Sequence, residues 1–101
     1  LEVIIEIINS SKEDVVLEFN TGQKYDIIIK NKYGNIRYRW SEGKMFTQAF
    51  SKLTIEAKDA VHFEEKINIS NLREGTYYIE AVIEGENIEL TSDHKKFTIK
   101  D

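Results

Sequence analysis

The 101 residues predict an all-β fold, an antiparallel sandwich of about seven to eight short strands, and three observations carry that expectation. Apolar and polar residues alternate along most of the chain, as they do where every second side chain faces a core. Turn-forming residues interrupt the alternation at short intervals. No stretch sustains the period of an amphipathic helix.

The alternation places strands over residues 2–8, 15–20, 24–30, 35–40, 52–57, 60–69, 76–84 and 96–100. The separators are Asn9, Ser10 and Ser11, then Thr21 and Gly22, Gly34 and Asn35, Asp59, Asn71, the run Gly85, Glu86 and Asn87, and last Ser92 and Asp93. Tyr25, Ile27 and Ile29 form one face of a strand, and Ile36, Tyr38 and Trp40 form one face of the next. The five residues from Asn31 to Asn35 join them as a hairpin. Arg37 and Arg39 fall on the outward face of the second strand. Two arginines alternating with apolar residues describe an amphipathic strand rather than a nucleic-acid groove.

Leu72, Gly75 and Tyr77 have the spacing L-x-x-G-x-Y, found where a strand enters an immunoglobulin-like sandwich and its tyrosine hydroxyl bonds back to upstream backbone. The sandwich is therefore expected to be immunoglobulin-like. Tyr77, Ile79, Ala81 and Ile83 should face inward to meet Val15, Leu17, Phe19, Phe97 and Ile99. Tyr78, Glu80, Val82 and Glu84 should face the other way. With no Pro in the chain, charged residues must protect the sheet edges.

Size and composition narrow the classes of function. The length suits one domain over residues 1–101, and the absence of Cys removes disulfides, thiolate catalysis and cysteine-bound zinc. A net charge of −4, with acids and bases interspersed, argues against a nucleic-acid partner, which requires a basic face. No apolar run approaches the length of a membrane span. The chain begins at Leu1 rather than Met, as a domain cut from a longer protein does.

The residues that could carry chemistry do not converge. His62 and His94 have no partner at metal-ligand spacing, and His62 alternates against Val61 and Phe63 as a surface strand residue would. His94 lies in a polar turn. No serine sits in a G-x-S-x-G elbow, the acids at Glu64, Glu65, Glu84, Glu86 and Glu89 match no calcium loop, and the glycines form no phosphate cradle. The expectation is a binding domain that is not an enzyme, with no catalytic residue, no metal and no cofactor.

Two runs are narrower in meaning: Thr21-Gly22-Gln23-Lys24-Tyr25-Asp26, and Gly43-Lys44-Met45-Phe46-Thr47-Gln48-Ala49-Phe50. With Leu53, Thr54, Ile55, Gly75, Thr76 and Tyr77, they resemble the BsuPI family, the intracellular proteinase inhibitor domain of bacilli. The resemblance spans roughly residues 8–84 and implies an immunoglobulin-like sandwich, a cytoplasmic location, and inhibition of a subtilisin-like serine protease. The alternative is a non-inhibitory structural or interaction module of a larger bacterial protein, extracellular or in the cell envelope. Relatives often carry Pro-Gly where this chain has Glu74-Gly75, and they include a strand ahead of the one beginning at Glu2.

The alternation breaks after Trp40, and two accounts of the next residues stay open. Met45, Phe46, Ala49 and Phe50 are spaced to form one face of a short helix that plugs the core, which is the plainer expectation. Alternatively, Lys44, Met45, Phe46, Thr47 and Gln48 form a loop presented to a protease, with Met45 or Phe46 filling an apolar pocket. Such a loop must be rigid, and Trp40 and Phe50 at its bases are expected to make it so. A second candidate contact is the turn at Thr21, Gly22, Gln23 and Lys24.

Overall fold

In the computed structural model, which describes residues 1–100 and only the backbone of Glu89, the alternation resolves into nine strands. They are β1 (Glu2–Ile8), β2 (Val15–Phe19), β3 (Tyr25–Asn31), β4 (Ile36–Arg39), β5 (Ser51–Ile55), β6 (Ala60–Lys66), β7 (Gly75–Glu84), β8 (Glu89–Thr91) and β9 (Lys95–Ile99). All pairings are antiparallel: β1 with β6, β2 with β5, and a five-stranded sheet in which β3 lies between β4 and β7 while β8 and β9 share the far side of β7. The strand β8 was not expected. It is three residues long and lies between the two polar runs read as separators, Gly85 to Asn87 and Ser92 to Asp93.

One core unites these ladders into an all-β sandwich. Ile5 of β1, Leu17 and Phe19 of β2, Ile27 and Ile29 of β3, Ile55 of β5, Tyr77 and Ile83 of β7, and Ile67 after β6 form a single buried cluster. Val15, Ile79, Ala81, Phe97 and Ile99 pack against it, as the period of two requires. The register of β3 against β7 opposes Ile27 to Ala81 and Ile29 to Ile79, so the inward faces coincide. Asn9 ties the two-stranded ladders together. Its amide nitrogen donates to the Glu13 and Ile55 carbonyls at 2.8 and 2.9 Å, and its backbone N–H donates to the Asp59 carbonyl at 2.8 Å.

The tyrosine corner is present. The Tyr77 hydroxyl donates to the Arg73 carbonyl at 2.7 Å, and the Tyr77 ring stacks on Phe97. The motif was readable because its two ends are four residues apart.

On the other face of β7 the simple pattern fails at one place. Glu80 points away from the core yet is buried, because Lys30 of β3 and His94 reach over it, at 3.2 Å and 2.8 Å from its carboxylate oxygens. Burial works to raise the Glu80 pKa, but the hydrogen bonds and charges of Lys30 and His94 together outweigh it and hold the group below its ordinary value of 4.5. The unfolded chain therefore binds the proton more tightly than the folded one. Stability from this carboxylate is fully present above pH 4.5 and is lost as pH falls through the lower folded value. Urea titrations of the protein and of Glu80→Gln are expected to differ at neutral pH and to converge in acid. A constant difference across that range contradicts the assignment.

Candidate functional site

Residues 44–50 carry no regular secondary structure, and the helical plug is not formed. Met45 is 98 % exposed, Phe50 is 59 % exposed, and Ala49 is exposed as well. Only Phe46 of the four is half-buried, and it lies on Trp40 with ring centroids 5.8 Å apart. Spacing alone could not distinguish a helix face from an extended loop, since Met45 and Phe46 are neighbours that point in different directions along extended backbone.

The loop is fixed in three places. At its start, the buried Asp26 carboxylate accepts two hydrogen bonds from Ser41, from the backbone N–H at 3.0 Å and from the hydroxyl at 2.6 Å. Arg39 approaches the same carboxylate to 3.6 Å, so this arginine is not simply turned to solvent. The chain reverses through Arg39–Glu42 and Ser41–Lys44 backbone hydrogen bonds, with Gly43 in the left-handed conformation at φ 78° that favours glycine.

The second fixing point is aromatic. Trp40 donates its backbone N–H to the Ile27 carbonyl at 2.9 Å and packs its ring between Tyr25 and Phe46. Tyr25 continues the stack to Phe63, and its hydroxyl donates to the Glu65 carboxylate. Lys44 Nζ lies 4.9 Å from the centre of the Trp40 ring, a cation–π contact. Burial first, and then the hydrogen bond and charge of Glu65, raise the Tyr25 hydroxyl pKa. Burial, followed by the charges of Glu65 and Asp26, raises that of Tyr38. Both phenols stay protonated at neutral pH, so the wall beneath the loop is insensitive to pH there.

The third point joins the two candidate contacts into one surface. The Gly22 N–H donates to the Thr47 carbonyl at 2.9 Å, so the turn from Thr21 to Lys24 lies directly against the loop. A Cβ at position 22 would stand 2.8 Å from Thr47 Oγ1, so a larger residue there would turn the Thr47 side chain aside. Within the turn, the Thr21 hydroxyl accepts from the Gln23 N–H at 3.1 Å, and Gln23 Nε2 donates to the Tyr25 carbonyl at 3.2 Å. Lys24 sits over the Phe19 ring.

Phe50 does not brace the loop as expected. Its ring is more than half exposed, with Lys52 Nζ 5.9 Å from the ring centre. Thr47 and Phe46 take that role, held from Gly22 and Trp40. Asp26 stands in the sequence as the last residue of a family-like run and Ser41 where the alternation breaks, but neither is readable there as an anchor of the loop. The available signal was an acidic residue inside the apolar run Tyr25-Asp26-Ile27-Ile28-Ile29, where burial of a carboxylate requires several donors.

The two histidines lie apart from this surface. His62 is exposed and pairs with Glu6 across the β1–β6 ladder, and His94 pairs with Glu80. Among the described residues, no group of three or more His, Asp or Glu side chains is placed to hold a metal ion. No helix among them is long and apolar enough to cross a membrane.

The fold is thus an antiparallel sandwich that holds a solvent-facing apolar side chain, Met45, on a loop fixed from three sides. The family model for BsuPI, intracellular proteinase inhibitor, matches residues 1–88, and the chain belongs to that family. A comparison with curated proteins gives no match. The partner class that follows from the family is a proteinase.

Proposed function

We propose that this domain inhibits a subtilisin-like serine protease by occupying its active site with residues 44–48, supported at the side by the turn at residues 21–24. The observation that carries the reading is the full exposure of Met45 on a loop anchored through Ser41, Phe46 and Thr47. A loop with no helix or strand of its own can pair with the edge of a protease cleft as an added strand, and Met45 can then enter an apolar primary pocket.

Preorganisation answers the physical difficulty that such a loop must bind without being consumed. A loop already held in its bound shape loses little conformational entropy on association. If its peptide bond is attacked, the anchors on both sides keep the new ends together, which favours re-formation of the bond over release. Disulfides and prolines serve this purpose elsewhere. Here the Asp26–Ser41, Trp40–Phe46 and Gly22–Thr47 contacts supply it. The family's intracellular description supports action in the cytoplasm.

The test is a titration of subtilisin with the purified domain, alongside Met45→Ala and Phe46→Gly. Burial of a methionine side chain contributes about 1.5–3 kcal/mol, so Met45→Ala is expected to weaken inhibition roughly 10- to 150-fold. Its unfolding midpoint should not move, because the side chain touches little in the free domain. Phe46→Gly is expected to weaken inhibition by freeing the loop from Trp40. Absence of stoichiometric inhibition at micromolar domain rejects the proposal and leaves the non-inhibitory binding module.

A further inference from the structure

The same loop has a property that protease binding does not require. The chain contains one Met and no Cys, so a single side chain carries all of its sulfur. That side chain is Met45, 98 % exposed at the head of the loop. Trp40, the other oxidisable side chain near it, is half-buried between Tyr25 and Phe46.

We propose that Met45 is a reversible oxidation site through which hydroperoxides switch off inhibition; the inference rests on the inhibitory reading above. A sulfur lone pair attacks one peroxide oxygen, the O–O bond breaks, and that oxygen becomes the sulfoxide oxygen. The other oxygen takes up a proton and leaves as water or an alcohol. Sulfur loses two electrons and the peroxide gains two. Reversal needs a dithiol reductase: the sulfoxide oxygen leaves as water and the dithiol closes to a disulfide.

The position decides the consequence. In a core, sulfoxide formation would disrupt packing and unfold the domain, but Met45 packs against almost nothing. None of the three anchors of the loop involves its side chain. The oxidised domain therefore keeps its fold and its loop while offering a polar group to an apolar pocket. A pocket of that kind discriminates against an added polar oxygen by about 100-fold.

The experiment treats the free domain with hydrogen peroxide until its mass rises by one oxygen atom, maps the modification, and titrates subtilisin before oxidation, after oxidation, and after treatment with methionine sulfoxide reductase. The expected result is modification at Met45, inhibition weakened about 10- to 100-fold with an unchanged unfolding midpoint, and recovery on reduction. Met45→Leu, compared with itself across the same treatment and whatever its own starting affinity, should not change. In the stoichiometric complex with subtilisin, oxidation of Met45 should slow at least about 10-fold, because the pocket covers the sulfur.

Inhibition untouched by complete oxidation of Met45 overturns this inference and leaves the inhibitory reading standing. Equal oxidation rates in the free domain and in an inhibitory complex overturn it too, and take Met45 out of the pocket while leaving inhibition itself standing. An untreated domain that inhibits no subtilisin overturns both.

Discussion

Phe19→Ala is expected to destabilise the domain by about 3–5 kcal/mol, the range for removing a large aromatic side chain from a packed core. Phe19 closes β2, is fully buried, and belongs to the cluster shared by all the ladders. Its removal leaves a cavity in that shared cluster, which close-packed neighbours from several strands fill only in part. A domain of this size has about 5–15 kcal/mol of stability in total, so a large fraction is lost. In urea, the midpoint should fall while the slope stays constant, as expected when native packing alone is weakened. Phe50→Ala is the control: a ring more than half exposed should cost less than about 1 kcal/mol. Equal losses for the two substitutions contradict the placement of both rings.

The contrast between Phe19 and Phe50 also marks what could be read in the chain. Phe19 follows Val15 and Leu17 at a period of two, and that local pattern fixes its direction once the strand is recognised. The tyrosine corner was readable for the same reason. Phe50 has no such guide, because the segment before it is irregular and its position depends on groups distant in sequence: Asp26, fifteen residues before Ser41, and Gly22, which meets Thr47. Apolar spacing there fits a helix face as well as it fits an extended loop. Glu80 escaped for a related reason, since its burial is set by Lys30 on a neighbouring strand and His94 beyond β8. Both runs that resemble the inhibitor family were visible as sequence. Their union into one surface through Gly22 and Thr47 was not.

Asp26→Ala should be the most disruptive change outside the apolar core, and it separates the loop's anchoring from the fold's packing. The Asp26 side chain is buried, and its carboxylate accepts from the Ile27 N–H at 2.9 Å as well as twice from Ser41, with Arg39 nearby. A hydrogen bond to a charged group contributes about 1.5–3 kcal/mol, and several groups lose their partner together. Part of that loss is recovered because Arg39 and Ser41 can reach water, so the expected net cost is about 3 kcal/mol in urea unfolding. Asp26→Asn keeps one acceptor oxygen and should fall between Asp26→Ala and the unaltered protein. The distinctive readout is local. Amide exchange at Ser41 should quicken in Asp26→Ala by more than the global loss of stability explains, while Ile29 and Ile79 in the β3–β7 ladder follow the global change. Inhibition should weaken beyond the change in stability too, since an unanchored loop must be ordered each time it binds. If Asp26→Ala unfolds within about 1 kcal/mol of the unaltered protein and Ser41 exchange is unchanged, the carboxylate does not hold the loop, and preorganisation must come from the Trp40–Phe46 stack and the Gly22–Thr47 bond alone.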